Sequence, residues 1–282
     1  MQSILEILNK TTAYFAQKGI PDAKIDAQIL VAHALKCKRL ELFLRFDEPL
    51  TAEKLDTIRD FVRRRARREP LQYILGETEF FGVPIKCDAR ALIPRSETEE
   101  LCEILCEKYF PDASAPLDIL ELGVGTGAVS LALKKRYANA NVRGLDISQD
   151  ALSLARENAA ANGIDVDFFQ SDWFENASGK FDLIFSNPPY LTDAEVASAQ
   201  PEVSQFEPMK ALRSDDDGFA DLRKILARAP EFLKDGAFIA CECGIAQPEK
   251  LAEEFAEVYA QTLWLKDASN RPRFIIFKYC KK

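Results

Sequence analysis

One histidine stands in 282 residues, and that scarcity removes whole classes of chemistry. His33 lies mid-helix among Ala and Leu, where packing accounts for it, so a Ser–His or Cys–His nucleophilic centre has no base. Zinc sites need His and Cys at short spacings. The seven cysteines include no C-x-x-C pair. Cys102 and Cys106 sit one helical turn apart, and Cys241 and Cys243 alternate along an expected strand, which reads as small buried thiols. An odd number of cysteines also fits a reducing compartment better than a disulfide framework. No apolar run approaches the roughly 20 residues a bilayer needs. The first apolar residues are interrupted by Ser3, Glu6, Asn9 and Lys10, with no small-residue cleavage site. The expectation is a cytoplasmic protein away from membranes.

Positive charge is also in deficit, with 37 Lys and Arg against 45 Asp and Glu. The shortfall is uneven. Residues 1–75 hold 14 basic and 10 acidic side chains, and the rest hold 23 and 35. An acidic body is poorly suited to neutralising phosphates, so no nucleic-acid substrate is expected. The run Arg63-Arg64-Arg65-Ala66-Arg67-Arg68 reads first as a solvated helix end favoured by the dipole. A contact for an acidic partner or RNA is the sharper alternative.

What is present organises into two blocks. Through about Leu75 the pattern is helical. Ser3 with Glu6 forms a capping box, Gly19 and Pro21 end the first helix, and Asp22 is placed to cap a second through Leu35. A third is predicted from Arg39 to Phe46, and Thr51 opens a fourth with Leu55, Ile58 and Val62 on one face. Residues 76–90 read as a hairpin linker about Gly82. From 91 to 282 strands and helices alternate, beginning with a helix capped by Ser96 and Glu99. Strands are predicted at 118–122, 142–146, 166–170, 181–186, 237–241, 263–266 and 273–278. Helices are predicted near 128–137, 149–162, 218–233 and 248–259. Such alternation predicts an α/β fold with a doubly wound, seven-stranded, mostly parallel sheet and a smaller all-α N-terminal domain. The short link between the last two strands predicts that one runs antiparallel.

Ligands bind outside the carboxyl ends of such strands, near the switch in strand order. The first strand runs into Glu121-Leu122-Gly123-Val124-Gly125-Thr126-Gly127, where glycines permit a tight turn and close ligand approach. The pattern also matches a dinucleotide fingerprint, and a purely structural turn competes with both. Asp146 ends the second strand, about 20 residues on, where a carboxylate can accept from a ribose diol. Asp172 and Trp173 follow the third strand; they could accept from a purine amino group and lie against its ring, although a core Trp explains the indole equally well.

The fourth strand delivers Asn187-Pro188-Pro189-Tyr190. Two prolines remove two backbone donors and leave stiff backbone with carbonyls available. A planar amide or aryl amine is a poor nucleophile because its lone pair is delocalised. The Asn187 side-chain oxygen and the Pro188 carbonyl could hold both N–H groups of such a nitrogen, while Tyr190 stacks on its plane. A rigid proline turn without chemistry is the alternative.

Together these stretches resemble class I methyltransferases carrying Asn-Pro-Pro-Tyr. More narrowly, the chain resembles the peptide-chain release factor glutamine methyltransferases. The likeness extends through Glu69-Pro70-Leu71-Gln72-Tyr73-Ile74-Leu75-Gly76, Phe80-Phe81, Leu92-Ile93-Pro94-Arg95-Ser96-Glu97-Thr98-Glu99, Ser171-Asp172-Trp173, Phe206-Glu207-Pro208 and Ala211-Leu212. The resemblance implies a Rossmann-like methyltransferase domain that uses S-adenosyl-L-methionine, with S-adenosyl-L-homocysteine as product. It implies methylation at N5 of the glutamine in the Gly-Gly-Gln loop of release factors, which the helical domain helps to dock. It assigns Glu121, Gly123, Val124, Gly125, Thr126, Gly127, Asp146, Asp172, Trp173 and Asn187 to the cofactor. Asn187, Pro188, Pro189 and Tyr190 are assigned to the glutamine, with Arg95 lining the pocket. A monomer is expected. Ser96, Glu121 and Cys241-Glu242-Cys243 depart from the family pattern. A ribosomal-protein glutamine methyltransferase and an adenine-N6 methyltransferase are the rival expectations.

Overall fold

The computed structural model describes residues 2–281. These fall into two compact units. The first runs through Gly76 and takes in Gln200–Phe206; the second holds Glu77–Ala199 and the chain from Glu207 onward.

The first unit is helical: α1 (Ile4–Gln17), α2 (Ala23–Ala34), α3 (Ala52–Ala66) and α4 (Leu71–Leu75). The capping box forms at α1, where Ser3 Oγ accepts from Glu6 N at 3.3 Å and Glu6 Oε2 accepts from Ser3 N. Thr51 caps α3 through Lys54 N. Asp22 stands before α2 but makes no side-chain cap bond. Arg39–Leu44 is a 3₁₀ turn and not the helix predicted to Phe46. Only Leu42 of its residues is buried, while Leu40 and Leu44 face outward, so no apolar stripe holds a longer α-helix. The core gathers Ile4, Leu8, Val31, Leu42, Leu50 and Ile58, with a neighbouring cluster around Phe15, Leu30 and Ile74.

The arginine run is not simply a solvated helix end. Arg65 is buried, donating to Asp26 Oδ2 at 2.7 Å and to Glu202 Oε1 at 2.7 Å. Arg68 holds both oxygens of Glu202 and the Gly19 carbonyl. Arg64 forms a fork on Glu69 and reaches the Tyr73 carbonyl. Only Arg63 and Arg67 are exposed. Three of the five guanidinium groups are thus committed inside the unit, where buried charges require partners.

The second unit opens with the hairpin β1 (Glu77–Phe80) and β2 (Val83–Lys86), turned by Phe81 and Gly82 with φ of 50° and 71°. Helix α5 (Ser96–Ile104) follows. Its predicted capping box does not form: Arg95 takes the cap position, and Glu99 Oε1 accepts instead from Phe81 N in the hairpin turn at 2.9 Å. The turn's N–H has no ladder partner, so it takes the carboxylate. Then come β3 (Asp118–Leu122), α6 (Ala128–Arg136), β4 (Asn141–Asp146), α7 (Gln149–Asn162), β5 (Asp167–Gln170) and β6 (Phe181–Ser186). The short helix α8 (Asp193–Ser198) follows, then α9 (Pro201–Phe206), which belongs to the first unit, and then α10 (Ala220–Arg228), β7 (Leu233–Glu242), α11 (Pro248–Glu254), β8 (Gln261–Lys266) and β9 (Pro272–Lys278). Helix α10 stops well short of its predicted end because Pro230 cannot extend it. Strand β7 starts earlier than predicted, where Leu233 pairs with Phe181 and Lys234 bridges Asp118 and Asp182.

The sheet order is β5-β4-β3-β6-β7-β9-β8, with β9 antiparallel to both its neighbours. The predicted seven-stranded, mostly parallel sheet is therefore present. Strand order reverses between β3 and β6, so the carboxyl ends of β3, β4 and β6 border one crevice. Among the described residues no helix is long and apolar enough to cross a membrane.

Candidate active site

Strand β3 is buried along Ile119, Leu120 and Leu122, which fixes where its outgoing loop begins. Gly123, Gly125 and Gly127 take φ of 75°, 52° and 81°. A Cβ at Gly127 would stand 3.0 Å from Ala155 Cβ on α7, so this position sets how closely the loop packs. The loop's N–H groups are largely engaged. Gly123 N and Val124 N donate to the Leu145 carbonyl at 2.7 and 3.2 Å, and Gly127 N donates to Val124 O. Gly125 N donates to Asp146 Oδ2 at 2.9 Å. A dinucleotide loop instead keeps such donors for pyrophosphate.

The start of α6 is likewise filled. Glu121, fully enclosed, accepts through Oε2 from both the backbone N and the hydroxyl of Ser130. Burial pushes its carboxyl up to about 8, against the opposing pull of the Ser130 bonds. Between its ordinary value of 4.5 and about 8, the folded chain holds this proton more tightly than the unfolded chain does. Its contribution to stability is therefore complete below pH 4.5 and is lost as pH rises toward 8. Glu121→Gln keeps an acceptor for Ser130 and does not titrate. The difference in melting temperature, variant minus wild type, is expected to grow from pH 5 to pH 8 and then level off; a difference that stays constant across this range would refute the assignment.

At the end of β4, Asp146 is half-buried and accepts from Ser148 N as well as Gly125 N. Burial raises its pKa, opposed by those backbone bonds. Asp172 is exposed. Trp173 takes φ of 44°, and its ring lies 3.7 Å from where a Gly123 Cβ would stand. Its Nε1 donates to Asp221 Oδ1 at 3.2 Å, and Ser214 steadies Asp221 from the other side. Asp221 has no local sequence signal; only the fold brings α10 beneath the indole.

Strand β6 lies between β3 and β7, and Ser186 Oγ donates to Leu122 O, tying its end to that of β3. Asn187 follows, with Nδ2 donating to Thr98 Oγ1 at 2.9 Å. Because the two amide atoms point opposite ways, Oδ1 is turned away from Thr98. Tyr190 donates its hydroxyl to Glu242 Oε1 at 2.8 Å and accepts from Arg273 Nη2 at 2.7 Å. Burial, reinforced by Glu242, raises the tyrosine pKa far beyond neutrality, so the phenol stays protonated and its ring is held in place. Behind it, Gln247 Nε2 donates to the carbonyls of Gly218 and Tyr190. Thr98, Glu242, Arg273, Gln247 and Gly218 were not singled out as site residues from the sequence. Glu242 carried a usable signal, a carboxylate at the end of the apolar run Ala237–Cys241.

Arg95, expected to line the pocket, donates through Nη2 to both oxygens of Glu207 at 2.7 and 2.8 Å. Glu207 is almost wholly enclosed. Its pKa is raised by burial, with Arg95 opposing. The fold thereby joins two segments that carried the family likeness, Pro94-Arg95 and Phe206-Glu207-Pro208, and commits the Arg95 head group to a buried partner.

Residues 6–76 match the PrmC N-terminal domain and residues 101–204 the methyltransferase small domain. The release factor glutamine methyltransferase of Geobacter sulfurreducens is 40% identical over 255 residues, 90% of this chain and 88% of that protein. The chain belongs to this family. The Deinococcus radiodurans member is 38% identical over 96% of both chains. Among solved structures, the T. thermophilus 16S rRNA N2 G1207 methyltransferase in complex with AdoMet and guanosine superposes with a TM-score of 0.53 at 19% identity. That match covers 72% of this chain and 49% of that one, and shows the shared fold. The family is one of methyltransferases, and the enzyme accordingly uses S-adenosylmethionine.

Proposed function

We propose that the enzyme moves the methyl group of S-adenosylmethionine to the side-chain nitrogen N5 of a glutamine in a peptide-chain release factor. The acceptor is the glutamine of the Gly-Gly-Gln motif, and S-adenosylhomocysteine is left as product. The observation that carries the chemistry is the Asn187 amide, whose Nδ2 is taken by Thr98 so that Oδ1 is presented at the end of β6.

The residues present fit the cofactor. Its nucleoside bears no phosphate, in keeping with a glycine loop whose N–H groups are already bonded and a helix start filled by Glu121. Asp146 retains acceptor capacity for ribose hydroxyls. Asp172 is an exposed acceptor suited to an adenine amino group, and Trp173 offers a face beside Gly123. Gly125, Thr126 and Val124 would shape the same wall. Bound there, the cofactor brings a methyl group on cationic sulfur.

The chain's own residues act on the acceptor. Asn187 Oδ1 and the Pro188 carbonyl accept from the two N–H groups of the glutamine amide, which favours a shift of nitrogen toward tetrahedral geometry. Pro189 keeps this backbone stiff. Tyr190, held by Glu242 and Arg273, supplies a flat surface against the amide plane. No base acts first, because an amide is far too weak an acid; nitrogen gives up a proton to water after the new N–C bond exists. A translation factor as substrate supports a cytoplasmic setting.

Labelled S-adenosylmethionine, offered with release factor, ribosomal protein or RNA, tests the assignment. Label is expected on the Gly-Gly-Gln glutamine. Label on RNA alone, or on ribosomal protein without release factor, would overturn it.

A further inference from the structure

Glu242 is fully enclosed at the end of β7, between Cys241 and Cys243, both core residues. An isolated carboxylate in such a place is strongly unfavourable. Apart from a contact with Arg273 on β9, its bonds leave the sheet. Oε2 accepts from Thr98 Oγ1 at 2.6 Å, and Oε1 accepts from the Tyr190 hydroxyl, with Arg273 Nη2 also at 3.3 Å. Thr98 lies in the first turn of α5 and is buried too. Its only further bond in this group is the one it accepts from Asn187 Nδ2.

The direction of these bonds follows from elementary donor counting. Burial raises the Glu242 pKa, and the Thr98 hydroxyl, the Arg273 guanidinium and the Tyr190 hydroxyl oppose that rise by favouring the ionised form, which only accepts. Thr98 has one hydroxyl proton, which Glu242 therefore takes. What Thr98 shows to Asn187 is a lone pair, and only the NH₂ side of the amide satisfies a lone pair. A flipped Asn187 would set oxygen against oxygen at 2.9 Å. We propose that Thr98 and Glu242 are positioning residues for methyl transfer, forming a one-way hydrogen-bond relay that compels Asn187 to present oxygen, never nitrogen, to the acceptor amide. The substrate's own NH₂ needs that polarity; an inverted Asn187 would meet donor with donor. This rests on the assignment of Asn187 as the acceptor-holding residue. Glu242 also fixes Tyr190, so one buried charge orients both the amide and the aromatic members of the motif.

The test compares Thr98→Val, Thr98→Ser, Glu242→Gln and Asn187→Ala with wild type. Single-turnover transfer to a release factor, cofactor Kd and melting temperature are read for each. Valine keeps the shape of threonine and removes the relay, so the transfer rate is expected to fall about 10- to 100-fold, with cofactor Kd within about threefold. Serine keeps the hydroxyl and is expected to restore the rate to within about threefold, a rescue that lost packing would not produce. Glu242→Gln brings a donor to Thr98, lets the relay reverse, and is expected to slow transfer at least about tenfold. A folded Thr98→Val or Glu242→Gln enzyme with wild-type rate, beside an inactive Asn187→Ala, overturns the relay and leaves the site assignment standing. A folded Thr98→Ser enzyme slowed tenfold or more also overturns it. Near-normal transfer by Asn187→Ala overturns the underlying assignment instead.

Discussion

Asn187→Ala is expected to lower the rate of methyl transfer about 10²- to 10³-fold, the loss typical of removing a preorganised group that contacts developing charge. The variant deletes the oxygen offered to the substrate and leaves the Thr98 lone pair without its donor. Nothing on the Gly123–Gly127 side of the crevice changes, so cofactor affinity measured by calorimetry should stay within about threefold of wild type. Loss of kcat at constant cofactor Kd is the signature. Asn187→Asp is not expected to rescue it. A carboxylate restores an acceptor for the substrate but brings a second oxygen to Thr98, whose proton is already given to Glu242. Turnover near the wild-type rate in Asn187→Ala would show that this amide is not needed.

Gly218→Ala is expected to be comparably severe, although Gly218 touches no ligand in the proposed reaction. Its φ is 84°, and a Cβ there would stand 2.2 Å from the Tyr190 carbonyl oxygen and 2.7 Å from Gln247 Nε2. The nearest atom is backbone, so the Asn187–Tyr190 segment itself must move. Displacing reacting groups by about 1 Å is enough to lose about 100-fold in rate. A fall of at least that size in kcat is expected, together with a lowered melting temperature. Gly236→Ala supplies the control. It has a similar φ of 78° with nothing within 4 Å, so it carries the left-handed strain, about 1–2 kcal/mol, without the collision. Loss of activity in both variants would assign the effect to backbone strain, and a wild-type rate in Gly218→Ala would show that the motif tolerates displacement.

Much of the fold was legible because it depends on short-range patterns. The β3 and β6 boundaries, the hairpin about Gly82, the α1 capping box and the Thr51 cap all follow from local alternation, turn chemistry or N-cap geometry. Where structure and expectation differ, packing or a partner outside the local pattern decides. The Arg39–Leu44 segment had hydrophobic residues but only one that finds a core. Ser96 and Glu99 had the spacing of a cap, yet Glu99 was drawn to a turn N–H eighteen residues away in sequence. Helix α8, absent from the predicted helices, carries a complete capping box in Thr192 and Glu195.

By itself the sequence determined the strand–helix alternation, the glycine turn and the Asn-Pro-Pro-Tyr segment, because each is a property of residues adjacent in the chain. Its likeness to the family supplied the substrate. Only the tertiary structure decided which way the Asn187 amide faces, that Tyr190 is held and not free, and that Arg95 is committed to Glu207. Those outcomes depend on partners 83, 89 and 112 positions away, and in the Asn187–Thr98–Glu242 chain the direction of the bonds is set by the carboxylate acceptor at its end. No local pattern records which residue that will be.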